Sequence, residues 1–148
     1  MSNPARRLVP VLLLVAAATP LAAASGDAEA VKAVVQSAYV EGVHASPDAA
    51  AMRRGFHPDF RMLVLRDGAL QAVTLDDWAA RLAKRAADGP AAPKPRVKAD
   101  YTTVDVTGDA AVVRVELHRD GKHVFTDYLA LYRFPDGWKI VSKTFQSH

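Results

Sequence analysis

The chain has 148 residues, a formal charge of +3 and no cysteine. That composition excludes disulfides, a catalytic thiol and thiolate metal sites. Its Lys and Arg residues form no cluster interleaved with aromatics, so no nucleic-acid partner is expected.

Residues 1–24 read as a signal peptide. Arg6 and Arg7 make a positive start, and Leu8 to Ala18 is an apolar run of signal length. Pro20 breaks the run, and Ala22-Ala23-Ala24 offers a cleavage site before Ser25. Pro10, Thr19 and Pro20 interrupt the segment, which is short for a membrane span. A secreted or periplasmic product follows, with no membrane association after cleavage and, lacking cysteine, no lipid anchor. It would be one domain over 25–148, of 148 − 24 = 124 residues. Losing Arg6 and Arg7 lowers the charge from +3 to +1, so the basic balance belongs partly to the leader.

Asp27 is placed to cap a first helix. Val31, Val34, Val35, Ala38, Tyr39 and Gly42 follow at helical spacing and predict one apolar stripe. Ser46 is read as the cap of a short second helix, with Pro47 at its first position and Gly55 at its end. Phe56-His57-Pro58-Asp59 is a turn leading into a strand from Phe60 to Arg66. Asp67-Gly68 is a hairpin turn, with the return over Ala69 to Val73. Thr74, with Asp77 three residues on, caps a third helix buried through Leu75, Trp78, Ala79, Leu82 and Ala86.

Asp88 to Pro95 is rich in Gly and Pro and reads as a loop. Val97 to Val106 is a strand, Thr107-Gly108-Asp109 a turn. Ala111, Val113, Val115 and Leu117 then alternate with Val112, Arg114, Glu116 and His118, the mark of a half-buried strand. Arg119-Asp120-Gly121-Lys122 turns into the strongest signal in the chain. Two aromatic-rich runs, Phe125 to Phe134 and Trp138 to Phe145, flank Pro135-Asp136-Gly137. A three-residue loop there pairs Phe134 with Trp138 and Tyr132 with Ile140. It puts Tyr128, Ala130, Tyr132, Trp138 and Ile140 on one face, and Leu129, Leu131, Val141 and Phe145 on the other.

Early helices followed by strands on short turns predict an α+β fold. A curved, mainly antiparallel sheet of about six strands would carry three helices on one face, leaving a hollow beneath them.

The order of elements resembles the nuclear transport factor 2-like, cystatin-like cone superfamily. Within it the chain is most similar to the putative lumazine-binding family, akin to SnoaL-like proteins. Tyr39 and Gly42, Phe56-His57-Pro58-Asp59, Gly108-Asp109-Ala110-Ala111-Val112, Asp127-Tyr128-Leu129 with Leu131, and Gly137-Trp138-Lys139-Ile140-Val141 with Lys143 carry the resemblance. It implies a small-molecule pocket and a homodimer through the sheet face.

Tyr39, Trp78, Tyr128, Tyr132 and Trp138 are the aromatics expected near the hollow. Trp138 reads as packing. The others would stack a flat ligand, with Arg61 or Ser142 fixing its orientation. Proton-transfer chemistry would need a carboxylate or His reaching the cavity. The candidates are Asp127, which otherwise pairs with Lys143, and His57, which otherwise bonds nearby main chain. Isomerase-like relatives carry their base late on the first strand, where Leu63 and Val64 stand here, and this departure counts against isomerase chemistry. His118 and His123 would lie side by side across a hairpin, but two ligands without a third make a poor metal site. No phosphate loop, nucleophile elbow or zinc helix motif is present, and no cofactor or metal is expected.

The leading expectation is an exported binder of a small, flat heteroaromatic or apolar molecule. The alternatives are an isomerase, dehydratase or cyclase, and a protein-interaction module. An open pocket faced by Asp127 or His57 would favour the enzyme, and an open apolar pocket the binder. A closed cone with an apolar sheet face would favour the interaction module.

Overall fold

The computed structural model describes residues 20–88 and 94–148. The apolar run of the expected leader, and most of the Gly/Pro loop, lie outside the described residues. The elements are helix α1 (Pro20–Val34), a π-helix (Val35–Ala45), α2 (Ala49–Gly55), strands β1 (Phe56–Arg66) and β2 (Ala69–Thr74), α3 (Leu75–Ala87), then β3 (Val97–Thr107), β4 (Ala110–Arg119), β5 (Lys122–Phe134) and β6 (Gly137–Ser147). The six strands form one sheet in the order β2-β1-β6-β5-β4-β3. All pairs are antiparallel except β1 with β6. The α+β cone expected from the sequence is the fold observed.

Turn chemistry explains the hairpins. Asp67 and Gly68 have φ of 51° and 76°, and Asp120 and Gly121 have 50° and 80°. Positive φ at both corners matches the right-handed twist of the flanking strands. Thr74 caps α3 as expected, its Oγ1 accepting the Asp77 N–H at 3.1 Å. The hydroxyl donates in turn to Asp77 Oδ2 at 2.8 Å.

Several expectations are corrected. Asp27 caps nothing: it lies within α1 and pairs with Arg133. The cap of α2 is Asp48, not Ser46, its carboxylate accepting from Ala50 and Ala51 N–H at 2.8 and 3.2 Å. Phe56 to Asp59 already belongs to β1, with an irregularity in the β6 pairing between Phe56 and Arg61. Ala86, in the last turn of α3, is exposed rather than buried.

The β5–β6 hairpin is the correction with most consequence. Its loop is Pro135-Asp136 alone. Phe134 pairs with Gly137, Arg133 with Trp138 and Leu131 with Ile140, followed by a bulge before Ala130 meets Ser142. Ile140 and Lys143 are both buried although three residues apart. Strict alternation would send them to opposite faces; the extra residue of the bulge resets the parity. Trp138 and Ile140 therefore join Leu129 and Leu131 in the core, and Tyr128 and Tyr132 point the other way.

The core lies between the helices and this inner sheet face. Val31, Val35, Tyr39, Met52, Phe56, Phe60, Leu82, Val113, Leu129, Leu131 and Ile140 are all buried there. Gly55 marks the closest approach of α2 to the π-helix: a Cβ added to it would stand 2.2 Å from the Ala38 Cβ. We expect Gly55→Ala to cost about 1–3 kcal/mol by overpacking. Chemical denaturation checks this, and an unchanged midpoint would show that the contact relaxes freely.

Candidate functional site: a buried polar cluster in the cone

The π-helix sets the site. Its wider turn stacks residue i over i+5 rather than i+4. Tyr39 and His44 are thereby brought edge to face, ring centroids 4.8 Å apart. Tyr39 is fully buried, and its hydroxyl donates to Asp127 Oδ2 at 2.6 Å. Asp127, also fully buried, reaches inward from β5 with the parity of Leu129 and Leu131. Its Oδ1 lies 2.7 Å from Lys143 Nζ. Lys143 is turned inward by the β6 bulge and is 4% exposed. Its ammonium sits 3.9 Å over the Phe145 ring, with the Tyr39 and Phe125 rings at 5.5 and 5.7 Å.

The electrostatics follow from burial. Loss of solvent pulls the Lys143 amine below the ordinary lysine value, opposed by the attraction of Asp127. The Tyr39 hydroxyl is raised well above its usual value, first by burial and then by the neighbouring carboxylate. His44 is lowered to about 3, by burial first and then by the charges of Arg119, Lys143 and Arg85. It is therefore neutral at physiological pH. Its Nδ1 lies 3.1 Å from Arg119 Nη2, which comes from the end of β4. Both residues are half-buried, which places them at the rim of the cluster.

The residues singled out from sequence do not form one site. Tyr39 and Trp78 are interior; Trp78 packs on Phe60 and Phe56 at centroid distances of 5.7 Å each and on Tyr39 at 6.3 Å. Tyr128 and Tyr132 are on the outer sheet face, 46% and 53% exposed. Arg61 and Ser142 are paired across β1 and β6. Arg61 is exposed and bonds the Phe60 carbonyl at 2.8 Å. His57 stacks on Phe134, centroids 4.6 Å apart, and its Nδ1 accepts the Asp59 N–H at 3.1 Å. It stands beside the β5–β6 turn, seven residues along β5 from Asp127, or roughly 20 Å of strand. His118 and His123 face each other with centroids 5.0 Å apart, and His148 stacks on His123 at 4.0 Å.

Two surface concavities, of about 240 and 300 Å³, are described. The first lies on the outer sheet face along Val112, Ala130 and Tyr132, the second beside the β4–β5 turn along Arg96, Lys98 and His118. Neither is lined by Tyr39, Asp127 or Lys143.

His44 and Arg119 went unnoticed in the sequence. Arg119 read as a turn residue, and His44 falls off the apolar stripe that an α-helical period predicts. Only the i, i+5 relation to Tyr39 reveals His44, and nothing local in the sequence announces a π-helix.

A three-helix, six-strand cone built this way defines a nuclear transport factor 2-like domain. Two solved nuclear transport factor 2-like proteins of unknown function superpose on it. One, from Silicibacter pomeroyi DSS-3, is 26% identical with a TM-score of 0.64, over 84% of this chain and 98% of that one. Another, from Shewanella baltica OS155, is 25% identical with a TM-score of 0.68, over 84% and 95%. No curated protein matches. The sequence profile of the putative lumazine-binding family matches residues 26–146, and the chain belongs to that family.

Proposed function

We propose that this domain binds a small, flat heteroaromatic molecule without turning it over. The observation that carries this reading is the buried Tyr39–Asp127–Lys143 cluster. A domain needing only stability gains little from an interior ion pair, since apolar side chains of equal volume serve as well or better. One Asp127 oxygen accepts the Tyr39 hydroxyl, and the other faces the Lys143 ammonium at 2.7 Å as an ion pair without a well-directed hydrogen bond. Asp127 is fully buried, ion-paired and lines neither concavity, and His57 is remote from the cluster, which weighs against the isomerase, dehydratase or cyclase alternative. Phe125, Phe145 and Trp78 crowd the interior. Neither described concavity opens onto the cluster, so this reading requires the interior to open, and its nearest half-buried approach is past His44 and Arg119. The family's name adds lumazine-like heteroaromatics to the candidates. Native mass spectrometry of gently purified protein should show a retained small molecule, and preparations that are empty every time would count against the reading.

Export is part of the proposal, supported by the leader-like residues 1–24. Among the described residues, no helix is long and apolar enough to cross a membrane. An exported product with Ser25 at its N-terminus is expected, and an intact leader on the exported protein would refute cleavage.

A filled interior with an apolar outer sheet face is the arrangement expected of an interaction module, and it favours a second, compatible reading. Val112, Tyr128 and Tyr132 are each about half exposed and share the outer face of neighbouring strands. Adjacent apolar side chains of this size suit a protein contact. The reading is a homodimer through that face. Sedimentation should give twice the chain mass, and Tyr132→Asp should shift it toward the monomer. A wild-type monomer at high micromolar concentration would sink the idea and leave the face to another partner.

A further inference from the structure

We infer that the free edge of β2 pairs antiparallel with the β2 edge of a second copy of this chain, about a two-fold axis through Gln71. This contact is separate from the outer-face dimer proposed above, because it uses main-chain groups at the border of the sheet rather than side chains on its face.

The sheet ends in β2 on one side and β3 on the other. A strand edge presents unspent N–H and C=O groups, and proteins blunt it with charges, bulges or a cover. β3 is blunted. It carries Lys98, Asp100 and Asp105, and its register shifts between Tyr101 and Thr103. β2 is not. Ala69 to Thr74 includes no charged residue and no proline, and it pairs with β1 without a register shift. Ala69, Leu70, Gln71 and Ala72 are all exposed. Among the described residues, Leu65 and Leu70 are the most exposed large hydrophobics, at 75% and 66%.

The turn fixes which main-chain groups are free. Asp67-Gly68 is a two-residue loop, and such a loop closes on a hydrogen-bonded pair, here Arg66 with Ala69. Bonded and non-bonded pairs then alternate along the ladder. Ala69, Gln71 and Val73 therefore spend their main-chain groups on β1, and Leu70 and Ala72 turn theirs away from it. A second β2 laid antiparallel, Gln71 opposite Gln71, sets Leu70 against the copy's Ala72 and Ala72 against the copy's Leu70. Each outward N–H then meets an outward C=O. The side chains agree with this register. Met62 and Val64 pack on the core, so Leu63 and Leu65 take the outer face, with Ala72 and Leu70 as their cross-strand partners. Across the joined sheets one row would read Leu65, Leu70, then the copy's Ala72 and Leu63, apolar without a break. On the opposite face the Gln71 side chains meet across a non-bonded pair, the closer kind, where two amides can bond each other. A patch that matches itself under a two-fold is what an isologous contact requires, so the occupant is a second copy. No like charges on β2 oppose the pairing. The strand is short, which makes this the weaker of the two contacts, one that joins outer-face dimers as concentration rises.

The chain has no cysteine, so one introduced thiol reports one contact. Gln71→Cys puts it on the axis, where opposed Cα atoms stand about 4.5 Å apart, within disulfide reach. Leu70→Cys puts it off the axis, two residues out of register with its own counterpart. In a glutathione redox buffer, Gln71→Cys should form covalent dimer about tenfold faster than Leu70→Cys, because paired thiols meet at an effective concentration and the others by collision. Mixing Leu70→Cys with Ala72→Cys should yield the mixed dimer faster than either chain alone yields its own. All three positions are exposed, so the variants should fold. Adding Tyr132→Asp to Gln71→Cys should leave the crosslink in place. Equal rates for Gln71→Cys and Leu70→Cys would overturn the inference and leave the edge to an extended peptide of another protein. A mixture no faster than its components would refute the register. Loss of the crosslink in folded Tyr132→Asp would mean that the outer face alone brings the copies together, and the edge contact would fall while the outer-face dimer stood.

Discussion

Lys143→Met should destabilise the protein by about 3–5 kcal/mol, the usual cost of removing one partner from a buried ion pair. In a domain of this size that corresponds to roughly 10–20 °C in melting temperature. The cause is Asp127. It is fully buried, and without the ammonium at 2.7 Å its charge would keep only the Tyr39 hydroxyl as a partner. The carboxyl group must then take up a proton or draw water into the core. Asp127→Asn should fall in the same range for the mirror reason. The amide oxygen can still accept from Tyr39, but the ammonium keeps only the Phe145, Tyr39 and Phe125 rings. The double variant Asp127→Asn/Lys143→Met removes both charges and should recover more than half of the loss of either single change. Equilibrium denaturation of the four proteins gives the coupling. Additive losses would mean that the two groups do not act as a pair. A melting temperature untouched by Asp127→Asn would remove Asp127 as the counter-ion of Lys143 and restore it as a candidate catalytic base.

The same pair shows how much the sequence discloses. Parity along β5 places Asp127 with Leu129 and Leu131, so its inward direction is legible. The turns are legible because Asp-Gly and Gly-Asp pairs have few backbone options. The α3 cap is legible because Thr74 and Asp77 stand at the capping distance. What escapes is whatever breaks a period. Parity already sets Lys143 beside Asp127, but it sends Trp138 and Ile140 to the other face; the bulge on β6 brings all three inward, and no residue in Ile140-Val141-Ser142-Lys143 demands it. The π-helix shifts the inward face so that His44 follows Tyr39, although Val31, Val35, Ala38 and Tyr39 fit an ordinary helical stripe. Both irregularities belong to the packed molecule. They bring together side chains that strictly periodic elements would have set apart, His44 beside Tyr39 and Ile140 on the face of Lys143. Tyr128 and Tyr132 show the converse: their aromatic character suggested a pocket, and the register puts them on the outside.

Acid should weaken the fold well before the carboxylates titrate. Unfolded His44 takes up a proton near pH 6.5, whereas in the folded protein it does so only near pH 3. Between those values the unfolded chain holds the extra proton, so stability must fall as pH falls. The contribution is fully present above pH 6.5. Below that the loss grows by about 1.4 kcal/mol per pH unit and amounts to about 3 kcal/mol at pH 4.5. Arg119, Lys143 and Arg85 all push His44 in this direction. Asp100 and Glu116 are half-buried carboxylates held below their usual values, Asp100 first by its bond to Lys98 and Glu116 first by its bond to Thr126. Their contributions begin to be lost only as the pH falls into the ordinary carboxylate range, so most of the interval from pH 6.5 to 4.5 reports on histidine. His44→Asn keeps an acceptor for Arg119 without a titrating ring. It should flatten the stability profile across that interval while the acid limb below it remains. If the variant and the wild type lose stability in parallel from pH 6.5 to 4.5, the acid sensitivity belongs to another histidine, and His44 is not held neutral by the cations at the rim.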